Sequence, residues 1–284
     1  MYAGTDKFVD TAYEPDYALV WDDPYSDDMM TDYMISTCEF RSANETTTPI
    51  LMEASGTDWQ GQADQRNLGD CYFVSAASAV AMTPSNIQDI FLTDDYIPEN
   101  GIIAVNAYIL GEPYTIVLDD LLPFNTTYDA LSFTIQDAET FTLWATFLEK
   151  AWAKANANYE LITSGNAVEV YEFLLGCPVE QYFKTNSFEP LDNNVGYVQA
   201  TAESNAWSII TSALDNGYLV GLGNDVSNCG LVGNHAWSVI SYHEFTTDAT
   251  YQLLRIRNPW GIDSDYSCDF RDDDTTNWTV DNIA

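Results

Sequence analysis

"QRNLGDCYFVSA", residues 65–76, is the stretch on which the reading of this chain turns. Gly69 and Asp70 lead straight into Cys71, and from there Phe73, Val74, Ala77, Val80 and Ala81 recur at helical spacing. The thiol is therefore expected in the first turn of a helix. There it meets unpaired N–H groups and the positive end of the helix dipole, both of which favour a thiolate. A cysteine by itself is most often a small buried hydrophobe, so a reactive role requires partners elsewhere in the sequence.

The candidates are few, because the chain holds only two histidines, His235 and His243. His235 opens "HAWSVISYHEF" (235–245), which reads as a strand. The polar "TTDAT" (246–250) reads as a turn, and "TYQLLRIRN" (250–258) returns as a second strand ending at Asn258. In an antiparallel hairpin centred on that turn, His235 and Asn258 lie opposite or nearly opposite each other. An asparagine orienting an imidazole that activates a thiol makes a Cys–His–Asn site. A protonated His235 beside Cys71 is expected to draw the thiol pKa down. Gln65, six residues before Cys71, can offer a carboxamide donor to an oxyanion together with the Cys71 backbone N–H.

Composition limits what else the chain can be. Its 284 residues carry 44 acids against 9 Lys and Arg, a formal net charge of −35, so clustered cations for nucleic acid are missing. Hydrophobic residues make up 46%, enough for a packed core. No apolar run is long enough to span a membrane, and "MYAGTDKFVD" lacks the basic-then-apolar order of a signal peptide. Cys38, Cys71, Cys177, Cys229 and Cys268 are odd in number, widely spaced and never CxxC. That spacing suits a reducing, cytoplasmic setting better than a disulfide framework.

Three segments are expected. Residues 1–50 read as an irregular N-terminal segment, 51–178 as a helix-rich part holding Cys71, and 179–284 as a strand-rich part holding His235 and Asn258. Within them, Thr83-Pro84-Ser85 should stop the helix that starts at Cys71. "GIIAVNAYIL" and "YTIVLDDLLPF" read as two strands joined at Gly111-Glu112-Pro113. Helices are expected over Phe141–Asn156, over 166–175 with Gly176 as its stop, and near 204–214.

"QRNLGDCYF", "GNHAWSV" and "RIRNPWG", in this order, resemble the calpain family of cysteine proteases. "VLDDLLPF" (117–124), "LWATFLEKAWAKANANYELITSG" (143–165) and "FVDTAYEPDYALVW" near the start extend the resemblance over most of the chain. It implies an α+β, papain-like, two-lobed protease core with the active site between a helical first lobe and a β-rich second lobe. It also implies Cys71 as nucleophile, His235 as general base and then acid, Asn258 as the residue holding the imidazole, and Gln65 as an oxyanion donor. Trp260, in "NPWG", looks like the family's tryptophan that shields the His–Asn pair.

The same resemblance implies Ca²⁺ as an activator. Glu160 in "NYEL" matches an acidic ligand of the first lobe, whereas the acid expected nine residues before the nucleophile is Gln62, with Asp58 and Asp64 nearby. Asp265 and Asp272 align with ligands of the second lobe when one residue is inserted after "NPWG". The family's C2-like and EF-hand modules have no counterpart in the sequence, and the second lobe is expected to stop short of its last strands. The expected function is a calpain-like cysteine endopeptidase that cleaves protein and peptide substrates through an acyl-enzyme. The alternatives are a catalytically inactive calpain-fold scaffold, or another acyl transfer on the same three residues, transglutaminase-like or deubiquitinating.

Overall fold

The computed structural model describes residues 7–14, 36–45, 50–53, 59–136, 142–184, 197–201, 203–225, 227–245, 251–262, 267–271 and 274–278. The described helices are α1 (Cys71–Val80), α2 (Pro84–Ile90), α3 (Trp144–Ala155), α4 (Ala167–Leu175) and α5 (Glu203–Asp215). The strands of the first half are β1 (Cys38–Ser42), β2 (Ala63–Asp64), β3 (Ile103–Ile109), β4 (Glu112–Leu118), β5 (Leu121–Asn125), β6 (Ala130–Leu131) and β7 (Ile135–Gln136). Those of the second half are β8 (Glu180–Lys184), β9 (Tyr197–Thr201), β10 (Val220–Asn224), β11 (His235–Phe245) and β12 (Tyr251–Arg257). Helices and strands thus mix throughout, an α+β chain. The first half carries more strand than its helical texture suggested, because short paired strands such as β2 and β7 give little period-two signal.

Helix α1 is buried from Tyr72 to Val80. Its Ala and Ser residues let neighbouring elements approach closely, and apolar character all round marks an interior helix. Trp152 of α3 stacks on Phe73 with ring centres 6.4 Å apart and meets Phe173 of α4 edge-on at 4.9 Å. The Trp152 indole donates to the Tyr72 hydroxyl (3.0 Å), which donates to the Ile162 carbonyl (2.9 Å). Helix α4 begins as its sequence predicts, with the Asn166 side chain accepting from Val168 N–H at 3.1 Å. It ends at Gly176 with φ +60°, where a Cβ would run into the Tyr108 ring.

One expectation is extended and two need correction. Pro84 does more than end α1: it opens α2, at a position where its missing N–H costs nothing. The hairpin turn of β3 and β4 sits at Leu110-Gly111, both with positive φ, so Glu112 and Pro113 belong to β4. The run 114–124 is also two strands, broken at Asp119-Asp120. Both of those acids are buried and held by cations, Asp119 by Lys150 and Asp120 by Lys7. Asp10 N–H donates to Asp119 (2.8 Å), so residues 7–14 are tied to this break.

In the second half, β10, β11 and β12 form an antiparallel sheet in that order, and β8 pairs in parallel with β9. Strand β11 lies against α1, with the Ser238 hydroxyl donating to the Ser75 carbonyl at 2.7 Å. Cys229 and Cys268 form a disulfide across 39 residues of sequence. For these two thiols the spacing argument for a reduced state is overturned, because the fold brings residues together that no local motif joins. No described helix is long and apolar enough to cross a membrane.

Replacing Tyr72 by Phe leaves the Trp152 indole and the Ile162 carbonyl without their shared partner. Stability to urea should fall by about 1–3 kcal/mol; an unchanged unfolding midpoint would show that neither group depends on the hydroxyl.

Candidate active site

The sequence places the site residues at the ends of elements. Cys71 is the first residue of α1, His235 the first of β11, and Asn258 follows the last residue of β12. His235 and Asn258 are buried, and His235 Nε2 lies 3.0 Å from Asn258 Oδ1. The same Oδ1 accepts from the Trp260 backbone N–H at 3.1 Å. An oxygen that already accepts fixes the carboxamide orientation, so Nε2 carries the hydrogen and Nδ1 keeps a lone pair in neutral His235. The ring lies between Trp260, 4.7 Å away and tilted, and Trp237, 4.9 Å away and perpendicular.

The hairpin brings these two residues together by a different register from the one expected. Ser238 pairs with Arg257, whereas direct opposition of His235 and Asn258 would pair Ser238 with Arg255. The structure interrupts the ladder with a bulge between Val239 and Ser241. Asn258 then leaves the strand in a turn, closed by Gly261 N–H donating to the Asn258 carbonyl at 3.0 Å, which carries its side chain back to the imidazole.

Cys71 is half-buried, and the backbone N–H of Ala236, the residue after His235, is among the groups that act on its sulfur. Burial pushes the thiol pKa up and the Asp70 charge adds to this, while the N–H groups of Ala236, Tyr72 and Cys71 draw it down. Burial also pushes the His235 pKa down, against the support of its bond to Asn258. Both shifts favour a neutral thiol and a neutral imidazole. Burial is the largest influence on both groups, and the depression of the thiol pKa expected of a protonated His235 is not seen in this geometry.

Gln65 is buried as well, but its Nε2 donates to the Leu68 carbonyl (2.6 Å), while its backbone N–H donates to the Pro259 carbonyl (2.8 Å). The carboxamide is turned inward, contrary to what an oxyanion donor needs at rest. Behind Cys71, Asp70 is fully buried, and no well-formed hydrogen bond from the described residues reaches either of its carboxylate oxygens. Glu149 and Gln65 are the polar groups facing it. Burial pushes Asp70 up to about 7. Glu149 is raised well above the usual carboxylate range by burial and by the Asp70 charge, against hydrogen bonds from Thr134 N–H and its hydroxyl.

Glu160 is buried at the start of a 3₁₀ turn (Glu160–Ile162). The described residues contain no group of three or more His, Cys, Asp or Glu able to hold a metal. Glu160 supplies one carboxylate, and backbone carbonyls, amide oxygens and waters can also provide the six to eight oxygens that calcium takes. Asp265 and Asp272, like Asp58, lie outside the described residues. Sequence reasoning passed over Glu149, Trp237 and Arg257, took Asp64 only as an acid near an expected calcium ligand, and gave Asp70 no role of its own. The available signal for Arg257 was scarcity: a cation inside "RIRNPWG" is one of only 9 in the chain.

A thiol at a helix start, beside a strand that opens with an asparagine-bonded imidazole, is the side-chain set of a thiol hydrolase. The family description "Calpain family cysteine protease" matches residues 35–283, and the chain belongs to that family. It is 26% identical over 286 residues to the calpain-type cysteine protease ADL1 of Oryza sativa subsp. japonica, an alignment covering 97% of this chain and 12% of that protein. It is 27% identical over 286 residues to the calpain-type cysteine protease DEK1 of Zea mays, covering 97% of this chain and 12% of the relative. It is 30% identical over 209 residues to the calpain-2 catalytic subunit of Mus musculus, covering 69% of this chain and 27% of the relative. The chain therefore spans well under a third of the length of these relatives.

Asp70 and Glu149 both bind protons more tightly folded than unfolded. Their contribution to stability is full below the ordinary carboxylate range, near pH 4, and is lost as pH rises, for Asp70 through about 7. Glu149→Gln should therefore show a flatter decline of Tm than the parent between about pH 5 and 8. Parallel Tm–pH curves would remove the pair from the account.

Proposed function

We propose that this chain is a calpain-like cysteine endopeptidase with a papain-like, two-lobed arrangement. Cys71 is its nucleophile, His235 its base and acid, and Asn258 the group that holds the imidazole. The observation that carries this reading is the 3.0 Å bond between His235 Nε2 and Asn258 Oδ1, which leaves Nδ1 as the nitrogen with a lone pair for the thiol proton. His235 takes the thiol proton as Cys71 sulfur attacks a peptide carbonyl, and a tetrahedral oxyanion forms. The Cys71 backbone N–H and the second amide hydrogen of Gln65 are the proposed oxyanion donors. His235 then protonates the leaving amine, giving the thioester, and deprotonates the water that hydrolyses it. Trp260 and Trp237 flank the imidazole and keep water from it.

Alkylation with iodoacetamide, followed by mass spectrometry, tests the site independently of any substrate. Cys71 should react far faster than Cys38 and Cys177, and His235→Ala should slow it by about 100-fold or more. Casein cleavage should vanish in Cys71→Ala. A second reading, a calpain-fold binding scaffold without turnover, draws on one observation: Gln65 is bonded to Leu68 rather than turned outward. Equal, slow alkylation of all three thiols would favour the scaffold.

Calcium activation is a separate proposal, carried by family membership and by the expectation for Glu160, Asp265 and Asp272, with no step routed through the ion. Casein cleavage should rise in millimolar calcium, and equal rates in calcium and in chelator would remove the proposal. A cytoplasmic location is likewise a proposal. The Cys229–Cys268 bond weighs against it, since disulfides persist in oxidising compartments, and the proposal stands only where both are alkylatable thiols in fresh lysate.

A further inference from the structure

Arg257 stands immediately before Asn258, and its guanidinium reaches two other parts of the chain. One nitrogen, Nη2, donates to the Asp64 carboxylate (2.9 Å) and to the Ala63 carbonyl (2.8 Å), both in β2. The other, Nη1, donates to the Ser78 hydroxyl (3.1 Å) of α1. Strand β2 runs straight into Gln65, and α1 begins at Cys71. A single planar fork thus joins the chain on either side of the nucleophile to the residue beside Asn258. The ion pair is largely enclosed, with side-chain exposures of 11% for Arg257 and 19% for Asp64, where it is screened less than a surface pair.

Two further contacts close the same seam. Gln65 N–H donates to the Pro259 carbonyl at 2.8 Å. Gly261 adopts φ +66°, and a Cβ there would come within 1.9 Å of the Asp64 carboxylate. Asp64 therefore seats the backbone of the "NPWG" turn on one side and holds the guanidinium on the other. That turn carries both the Asn258 oxygen and the Trp260 ring that meet His235.

We propose that Arg257 and Asp64 are positioning residues: their ion pair fastens the Asn258 turn to β2 and α1 and so fixes where Asn258 meets His235. Neither residue touches substrate; both act through Asn258. A rigid fork is required because three acceptors lie in different directions, a geometry that a lysine ammonium on a flexible stem does not reproduce. The proposal rests on the peptidase reading for its kinetic consequence but not for its structural one.

Asp64→Asn keeps the shape of the side chain and removes its charge, Arg257→Lys keeps the charge and removes the fork, and Arg257→Met removes both. In variants that stay folded, kcat on casein-derived peptide should fall by about 10- to 100-fold with KM little changed, the cost of a small misplacement of a catalytic group. The double variant Asp64→Asn/Arg257→Met should be no worse than Arg257→Met alone, since one interaction is removed in both. The structural arm uses imidazole NMR, which is simple in a chain with two histidines. The bond to Asn258 supports the protonated form of His235, so displacing Asn258 should lower the His235 pKa, with exposed His243 as the internal reference.

Folded variants with unchanged kcat would overturn the proposal, as would an unchanged or raised His235 pKa. A parent chain that never cleaves casein defeats the peptidase reading, and the NMR arm still decides the positioning role. If Arg257→Met fails to fold, Asp64→Asn and Arg257→Lys supply the same two readouts.

Discussion

The site depends on how closely strand β11 can lie against helix α1. The helix is built of small residues between Ser75 and Ala79, and the Ser238 hydroxyl reaches the Ser75 carbonyl across the contact. A large side chain on that face would lift the strand and carry Ala236 away from the Cys71 sulfur. Shape, rather than charge, therefore brings the thiol and the imidazole strand into one place. The polar contacts then fix the details, because each buried donor or acceptor left unpaired costs free energy of the order of the hydrogen bond it lacks.

Charge has a different task in this chain. With 9 cations against 44 acids, electrostatic attraction is scarce, and much of it is spent inside. Lys150 holds Asp119, Lys7 holds Asp120, Lys154 holds Asp10, and Arg257 holds Asp64. Burial alone pushes the Lys150 pKa down, and the Asp119 charge opposes that fall. Asp10, Asp119 and Asp120 are all buried, so removing any of these cations would strand a carboxylate away from water, which is far costlier than losing a surface pair.

Periodicity in the sequence carried the long elements well. Helices α1, α3 and α4 and strands β11 and β12 repeat apolar residues at their own period over seven residues or more, and Asn166 and Gly176 mark the ends of α4. The meeting of His235 with Asn258 could be anticipated because a hairpin converts spacing into proximity. Its register could not, since a bulge and a turn beyond the strand have no fixed sequence period. The Cys229–Cys268 bond and the Arg257–Asp64 pair were invisible for the same reason: they join residues whose distance along the chain says nothing about their distance in space. The inward turn of Gln65 depends on Leu68 three residues on, a contact that only the local backbone path creates.

The protonation balance at the site follows from the same geometry. Cys71 sits at the start of a helix, where dipole and backbone N–H groups favour a thiolate, yet it also adjoins the buried Asp70, and its own burial is the larger influence. His235 gains support for its charged form from Asn258, yet burial outweighs that too. Two groups that each resist charging alone can still exchange a proton with each other, because the resulting opposite charges stabilise one another most where water is excluded. Burial thus holds both the thiol and the imidazole neutral, and the bond to Asn258 decides which imidazole nitrogen keeps its lone pair.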